Sequence, residues 1–403
     1  MQKDEKVLYV ATRIFIFILI IVFFSVIIKY GIDKYNNNIG TKEEKIESIA
    51  DYISWLDKKE QTIEDYSSKY LAGYNKIIEL QEKYKSAIKW DLIRLEDGGT
   101  PVNIGNGMIS EIKNKKDNSA RAQKLIEFNN YLEEKGINLL YVQAPSKTDN
   151  VTTGGTLNIK KDYIKENTDN FLKKLTKEKV DVLDLRQEII KENLKSEEIF
   201  FKTDHHWKPK TGIWATKKVA NKLNELYNFN INIDMYNIIK YEVKTIPKIA
   251  LGSEGKRATL AKVELEDFDI ILPKFKNNLN VEIPSKNICK EGSISDTAID
   301  WTRIKRDYYN TEVYAAYGYG NPPLIKVKND LANDSDKNIL IIKDSFANVV
   351  WPYLSLAMNN TYVLDLRYYG ESLKQFIAEN KIDAVIMLYY PASLEDSNMF
   401  NFE

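Results

Sequence analysis

Cysteine and histidine are almost missing from this chain. Among 403 residues there is one cysteine, Cys289, and two histidines, His205 and His206. A lone cysteine excludes an internal disulfide and a thiolate zinc cluster, and two histidines are too few for a histidine-rich metal centre. Net charge is missing too, because 58 Lys plus Arg balance 58 Asp plus Glu. That balance removes the electrostatic case for a nucleic-acid partner. Neither a metal nor an organic cofactor is expected.

One long hydrophobic run stands out against the polar remainder. From Val7 to Ile28 only Thr12, Arg13 and Ser25 interrupt apolar residues, and about 20 residues cross a bilayer core. With Lys3 and Lys6 ahead of it, the segment 1–30 reads as a retained signal anchor. A cleaved signal peptide and a buried helix are the alternatives. The expectation is a single-pass protein of the cell membrane, with its catalytic domain outside the cytoplasm.

Residues 31–90 read as a helical arm. Ile46, Ile49, Ile53, Leu56 and Ile63 fall on one helical face, as a packed helix or a coiled-coil seam would require. Residues 91–240 then alternate strands and helices, and 331–403 repeat that alternation more clearly. Helices are expected near 119–135, 164–175, 211–227, 347–358 and 372–379. Strands are expected near 137–142, 180–185, 339–342, 362–366 and 384–388. Apolar strands without alternation, flanked by helices, describe a sheet covered on both faces. Residues 241–330 lack helical periodicity and read as a β-rich insertion that walls a cleft.

The histidines sit in Thr203-Asp204-His205-His206-Trp207, and a distant Ile341-Ile342-Lys343-Asp344-Ser345-Phe346 follows the pattern strand, turn, helix. Asp204 is placed to orient His206, and His206 to serve a nucleophile at Ser345, because a triad is defined by geometry and not by chain order. His205 is a candidate substrate contact or a packing residue, and Trp207 a wall beside the imidazole or a sugar contact. Metal binding by Asp204, His205 and His206 is the chemical rival; plain packing is the third reading. Tyr308, Tyr309, Tyr314, Tyr317 and Tyr319 are equally suited to a sugar platform and to core walls. Arg303, Lys305 and Arg306 suit a solvated surface better than an anionic glycan.

The Asp-His-His-Trp element resembles the signature of the DHHW proteins, relatives of the SGNH-hydrolase-like proteins that O-acetylate alginate. The Asp-Ser-Phe element, Leu251-Gly252-Ser253-Glu254-Gly255-Lys256-Arg257 and Leu364-Asp365-Leu366-Arg367-Tyr368-Tyr369 extend the likeness from about residue 90 onward. The resemblance implies a flavodoxin-like three-layer α/β/α domain, with Ser345 as nucleophile, His206 as general base and acid, and Asp204 as its orienting carboxylate. It also implies O-acylation of a cell-surface or exported polysaccharide, with the acyl donor delivered by a multi-spanning membrane acyltransferase. A carbohydrate esterase and an inactive, membrane-tethered glycan-binding scaffold are the alternatives. Two departures bear on the oxyanion site. Lys343 replaces a usual glycine, and Tyr390 ends the last strand where related folds suggest an asparagine. Tyr390, Asn348 and backbone groups at Ser345 and Phe346 are the candidate oxyanion or substrate contacts.

Overall fold

The computed structural model describes residues 102–149, 161–332 and 336–403, together with positions 76, 79 and 80. Two compact units, Met1–Tyr84 and Lys85–Glu403, divide the chain. The second holds an eight-stranded sheet. Its strands are β3 (Asn138–Gln143), β4 (Asp181–Asp184), β7 (Leu279–Ile283), β8 (Ile288–Gly292), β9 (Leu324–Asn329), β10 (Asn338–Lys343), β11 (Asn360–Leu364) and β12 (Ala384–Tyr389). They lie in the order β4-β3-β12-β10-β11-β9-β7-β8. Two hairpins stand apart: β1 (Val102–Gly105) with β2 (Met108–Ser110), and β5 (Tyr241–Ala250) with β6 (Glu266–Pro273).

The sheet is mixed, which corrects the flavodoxin-like expectation. β4, β3, β12, β10 and β11 pair in parallel. β11, β9, β7 and β8 then continue antiparallel. Within residues 241–330, β7, β8 and β9 extend the main sheet. The reason lies in the open edge at β11, whose unpaired backbone groups the antiparallel strands satisfy.

Helices cover both faces: α1 (Ser119–Glu134), α2 (Ile164–Lys177), α3 (Leu185–Lys191), α4 (Pro209–Tyr227) and α6 (Leu373–Glu379), while α5 (Ser253–Ala258) lies against β2. Alternate residues of β10 enter different cores, which is why the strand has no polar alternation. Ile339 and Ile341 share a core with Val219 and Leu223 of α4. Leu340 and Ile342 share another with Leu125 of α1 and Phe376 of α6. Pro209 occupies the first turn of α4 and Asn228 closes it in the left-handed conformation, each where its backbone preference fits.

The helix expected at 347–358 is instead three short turns. A 3₁₀ turn spans Ser345–Val349, an α-turn Trp351–Leu354, and a second 3₁₀ turn Ser355–Ala357. Pro352 accounts for part of this, since it lacks the N–H that would continue a helix from the preceding turn.

The membrane expectations are also corrected, namely the anchor, the single-pass location and the multi-spanning partner. Among the described residues no helix is long and apolar enough to cross a membrane. The longest of the named helices, α4, carries Lys210, Lys217, Lys218 and Lys222, and a span needs about 20 predominantly apolar residues. Residues 7–28, and the expected arm at 31–90 apart from three positions, lie outside the described residues.

Candidate active site

The loop bearing Asp204 and His206 is latched at its base. Phe200 and Trp207 bridge across it, and Phe201 N–H donates to the His206 carbonyl at 3.2 Å. Glu266, at the start of β6, accepts from the backbone N–H groups of Lys202 and Thr203 and from the Thr203 hydroxyl at 2.7–2.8 Å. Gly255 N–H donates to the Thr203 carbonyl at 2.8 Å. Gly252 packs directly on the loop: a Cβ there would meet Asp204 Cβ at 2.2 Å and the Thr203 carbonyl oxygen at 2.4 Å. The glycine is required by this close approach.

Ser345 follows the carboxyl end of β10, the usual place for a site in a parallel sheet. Asp344 caps its turn and is fully occupied. One carboxylate oxygen accepts from Phe346 N–H at 2.8 Å, and the other accepts from Tyr390 N–H at 2.5 Å and the Ser393 hydroxyl at 2.6 Å. Burial pushes the Asp344 carboxyl up, against these hydrogen bonds. The two segments meet through Trp207, whose indole N–H donates to the Phe346 carbonyl at 3.0 Å.

The chemical set then assembles. His206 Nδ1 lies 2.8 Å from Asp204 Oδ1, and His206 Nε2 lies 2.6 Å from Ser345 Oγ. Burial acts to raise the Asp204 carboxyl, but the charge and hydrogen bonds of His206 outweigh it and hold Asp204 well below the usual carboxylate range. An ionised Asp204 only accepts, so the His206 proton sits on Nδ1 and the Nε2 lone pair faces the serine hydroxyl. Tyr314 stacks on His206 with ring centroids 3.9 Å apart and planes 15° apart. His205 packs 3.9 Å from His206 as well.

His205 sits beside the same carboxylate. Its Nδ1 lies 3.3 Å from Asp204 Oδ1, 3.7 Å from Glu254 Oε1 and 3.1 Å from the Ser253 hydroxyl. Burial and the neighbouring His206 charge push the His205 imidazole down to about 3. Glu254 is buried, and burial together with the Asp204 charge pushes its carboxyl up to about 7, with Lys147 opposing. Asp204, His205 and His206 bring three potential metal-ligand atoms within 4.8 Å of one another. The Asp204–His206 hydrogen bond already engages two of them.

The other expected contacts divide. Trp207 and Phe346 are fully buried, so they brace the turn from within. Phe346 also stacks on Tyr390 at 4.6 Å, and its N–H is already committed to Asp344. Asn348 is buried and accepts from Lys343 Nζ at 2.7 Å. Lys343 is buried too, and also donates to Asn321 Oδ1 at 2.8 Å and the Gly320 carbonyl at 3.3 Å. Burial lowers its ammonium to about 8. Its charge is thus held among neutral oxygens of the supporting loop. Tyr314, Tyr317 and Tyr319 are buried walls. Arg303 pairs with Asp300, and exposed Lys305 lies 4.0 Å from Asp307.

A cleft of about 470 Å³ opens beside the set, lined by Glu111, His205, Ser253, Glu254, Arg257 and Tyr390 among others. Ser253 and Glu254 were not assigned roles from sequence, and Tyr314 was read only as a sugar platform or core wall. The Leu251–Arg257 resemblance pointed to the first two. A tyrosine in a tyrosine-rich stretch carried no signal for stacking on one imidazole.

The family model described as SGNH hydrolase-like domain, acetyltransferase AlgX, matches residues 107–245. Comparison with curated protein sequences gives no significant match. Among solved structures, PatB1 of Bacillus cereus is similar, with TM-score 0.62 and 23% identity over 75% of this chain and 99% of that one. A second PatB1 structure, carrying a sulfonyl adduct, gives TM-score 0.62 and 22% identity over 76% of this chain and 100% of that one. A DHHW family protein from Eubacterium siraeum gives TM-score 0.58 and 17% identity over 76% and 95%. The matched segment contains the Asp-His-His-Trp loop, and over residues 107–245 the chain is similar to the SGNH hydrolase-like domain of acetyltransferase AlgX.

Proposed function

We propose that this chain transfers an acyl group, acetyl in the simplest case, to a polysaccharide hydroxyl through an ester on Ser345. One observation carries the reading: a single imidazole bonded to Asp204 on one nitrogen and to the Ser345 hydroxyl on the other. His206 takes the Ser345 proton as Oγ attacks an activated acyl ester or thioester, and returns it to the departing group. The Ser345 N–H, at the first position of its 3₁₀ turn, supplies a donor for the developing oxyanion. An acceptor hydroxyl then gives its proton to His206, attacks the acyl carbon and releases Ser345. The match to a domain described as acetyltransferase AlgX supports acetyl as the group, and the polysaccharide acceptor rests on the resemblance of the Asp-His-His-Trp element to the relatives of alginate O-acetylation proteins. Water in place of the acceptor makes the same machinery an esterase.

Incubation with p-nitrophenyl acetate followed by intact-mass measurement tests this. The expected result is one acetyl adduct on the wild-type chain and none on Ser345→Ala. Equal labelling of both chains, or no adduct and no ester turnover by the wild type, overturns the proposal.

A further inference from the structure

The two imidazoles are anchored on one oxygen. His206 Nδ1 and His205 Nδ1 lie 2.8 and 3.3 Å from Asp204 Oδ1, and the rings are 3.9 Å apart and tilted by 34°. Tyr314 and His205 each pack 3.9 Å from the His206 ring centroid. Ser253 donates its hydroxyl proton to Glu254 Oε2, which leaves a Ser253 lone pair to accept from His205 Nδ1–H. That fixes the His205 tautomer. His205 Nε2 then carries a lone pair, has no hydrogen bond to any described residue, and belongs to a side chain that is 30% exposed and lines the cleft.

We propose that His205 binds the acceptor by taking a hydrogen bond from the hydroxyl next to the one acylated, so that the paired imidazoles select an acceptor bearing two adjacent hydroxyls. The inference rests on the acyl-Ser345 reading. One hydroxyl loses its proton to His206 Nε2 and attacks the acyl carbon. The Ser345–acyl bond breaks, and the proton passes from His206 to Ser345 Oγ. The neighbouring hydroxyl keeps its proton and donates to His205 Nε2. The cleft walls suit a hydroxyl-rich ligand: Arg257 pairs with Glu111 at 2.5 Å, which leaves a polar surface of nearly balanced charge, and Tyr390 offers a ring beside His205 at 5.6 Å.

The test measures how the acetyl enzyme partitions between alcohol and water. The full chain is acetylated with p-nitrophenyl acetate and offered propane-1,2-diol or propan-1-ol at equal concentration. The wild type is expected to favour the diol roughly fivefold, the worth of one added hydrogen bond. His205→Ala is expected to lose the preference, read as the ratio of diol to propan-1-ol products formed from the acetyl enzyme. His205→Gln, which retains an acceptor atom, is expected to keep part of it. Undiminished preference in His205→Ala, or none in the wild type, overturns the proposal, as does loss of acetyl-enzyme formation in both variants, which makes His205 structural. Failure of the wild type to acetylate at all overturns the Ser345 reading instead.

Discussion

Gly252→Ala tests whether the backbone behind Asp204 sets the rate. Gly252 has ordinary dihedrals, φ −74° and ψ 176°, so a side chain meets no conformational penalty there. The obstacle is space. The new methyl would lie 2.2 Å from Asp204 Cβ and 2.5 Å from Asp204 Cα, whereas carbon atoms rest at about 3.5–4.0 Å. No rotamer relieves the contact, because its partners are backbone and Cβ atoms. Asp204 therefore moves by about 1 Å, and a shift of that size costs on the order of 10²-fold in rate. Overpacking adds a stability loss of about 1–3 kcal/mol. The assay is p-nitrophenyl acetate turnover beside a thermal melt, with Gly370→Ala as control because nothing lies within 4 Å of its Cβ position. Turnover and melting temperature in Gly252→Ala that match the control would refute the reasoning.

Two further outcomes follow from the electrostatics. Asp204→Asn keeps the shape but removes the charge that selects the His206 tautomer, and steady-state turnover is expected to fall by about 10³–10⁴-fold with little change in melting temperature. Lys343 has its folded-state pKa lowered from 10.5 to about 8 by burial. The unfolded chain therefore binds more protons between those values, and this group makes stability rise with pH from 8 to 10.5, by about 3 kcal/mol in all. Denaturant titrations across that range are expected to lose this increment in Lys343→Met, and an unchanged slope would refute the assignment.

Scarcity narrowed the sequence reading to Asp204, His206 and Ser345. With two adjacent histidines in the chain, any imidazole chemistry had to occur in one loop, and Asp204 stood two residues from His206. The parallel strands were legible for a related reason: Ile339–Ile342 is apolar throughout, and burial on both faces requires that. The surroundings of Lys343 were not legible in the sequence. Its local position shows only the missing glycine, whereas its partners, Asn321 and Asn348, depend on how the loop before β9 returns.

The chain's own order of residues thus determined which groups could perform chemistry and which stretches had to be buried, since both follow from residue type and short-range periodicity. Tertiary structure alone decided the mixed sheet, the Tyr314 stack, and the arrival of Ser253 and Glu254 beside His205. Each of those depends on contacts between segments distant in sequence, such as His205 with Ser253 and His206 with Tyr314. Local propensity carries no record of them; packing and hydrogen-bond satisfaction across the whole domain select them.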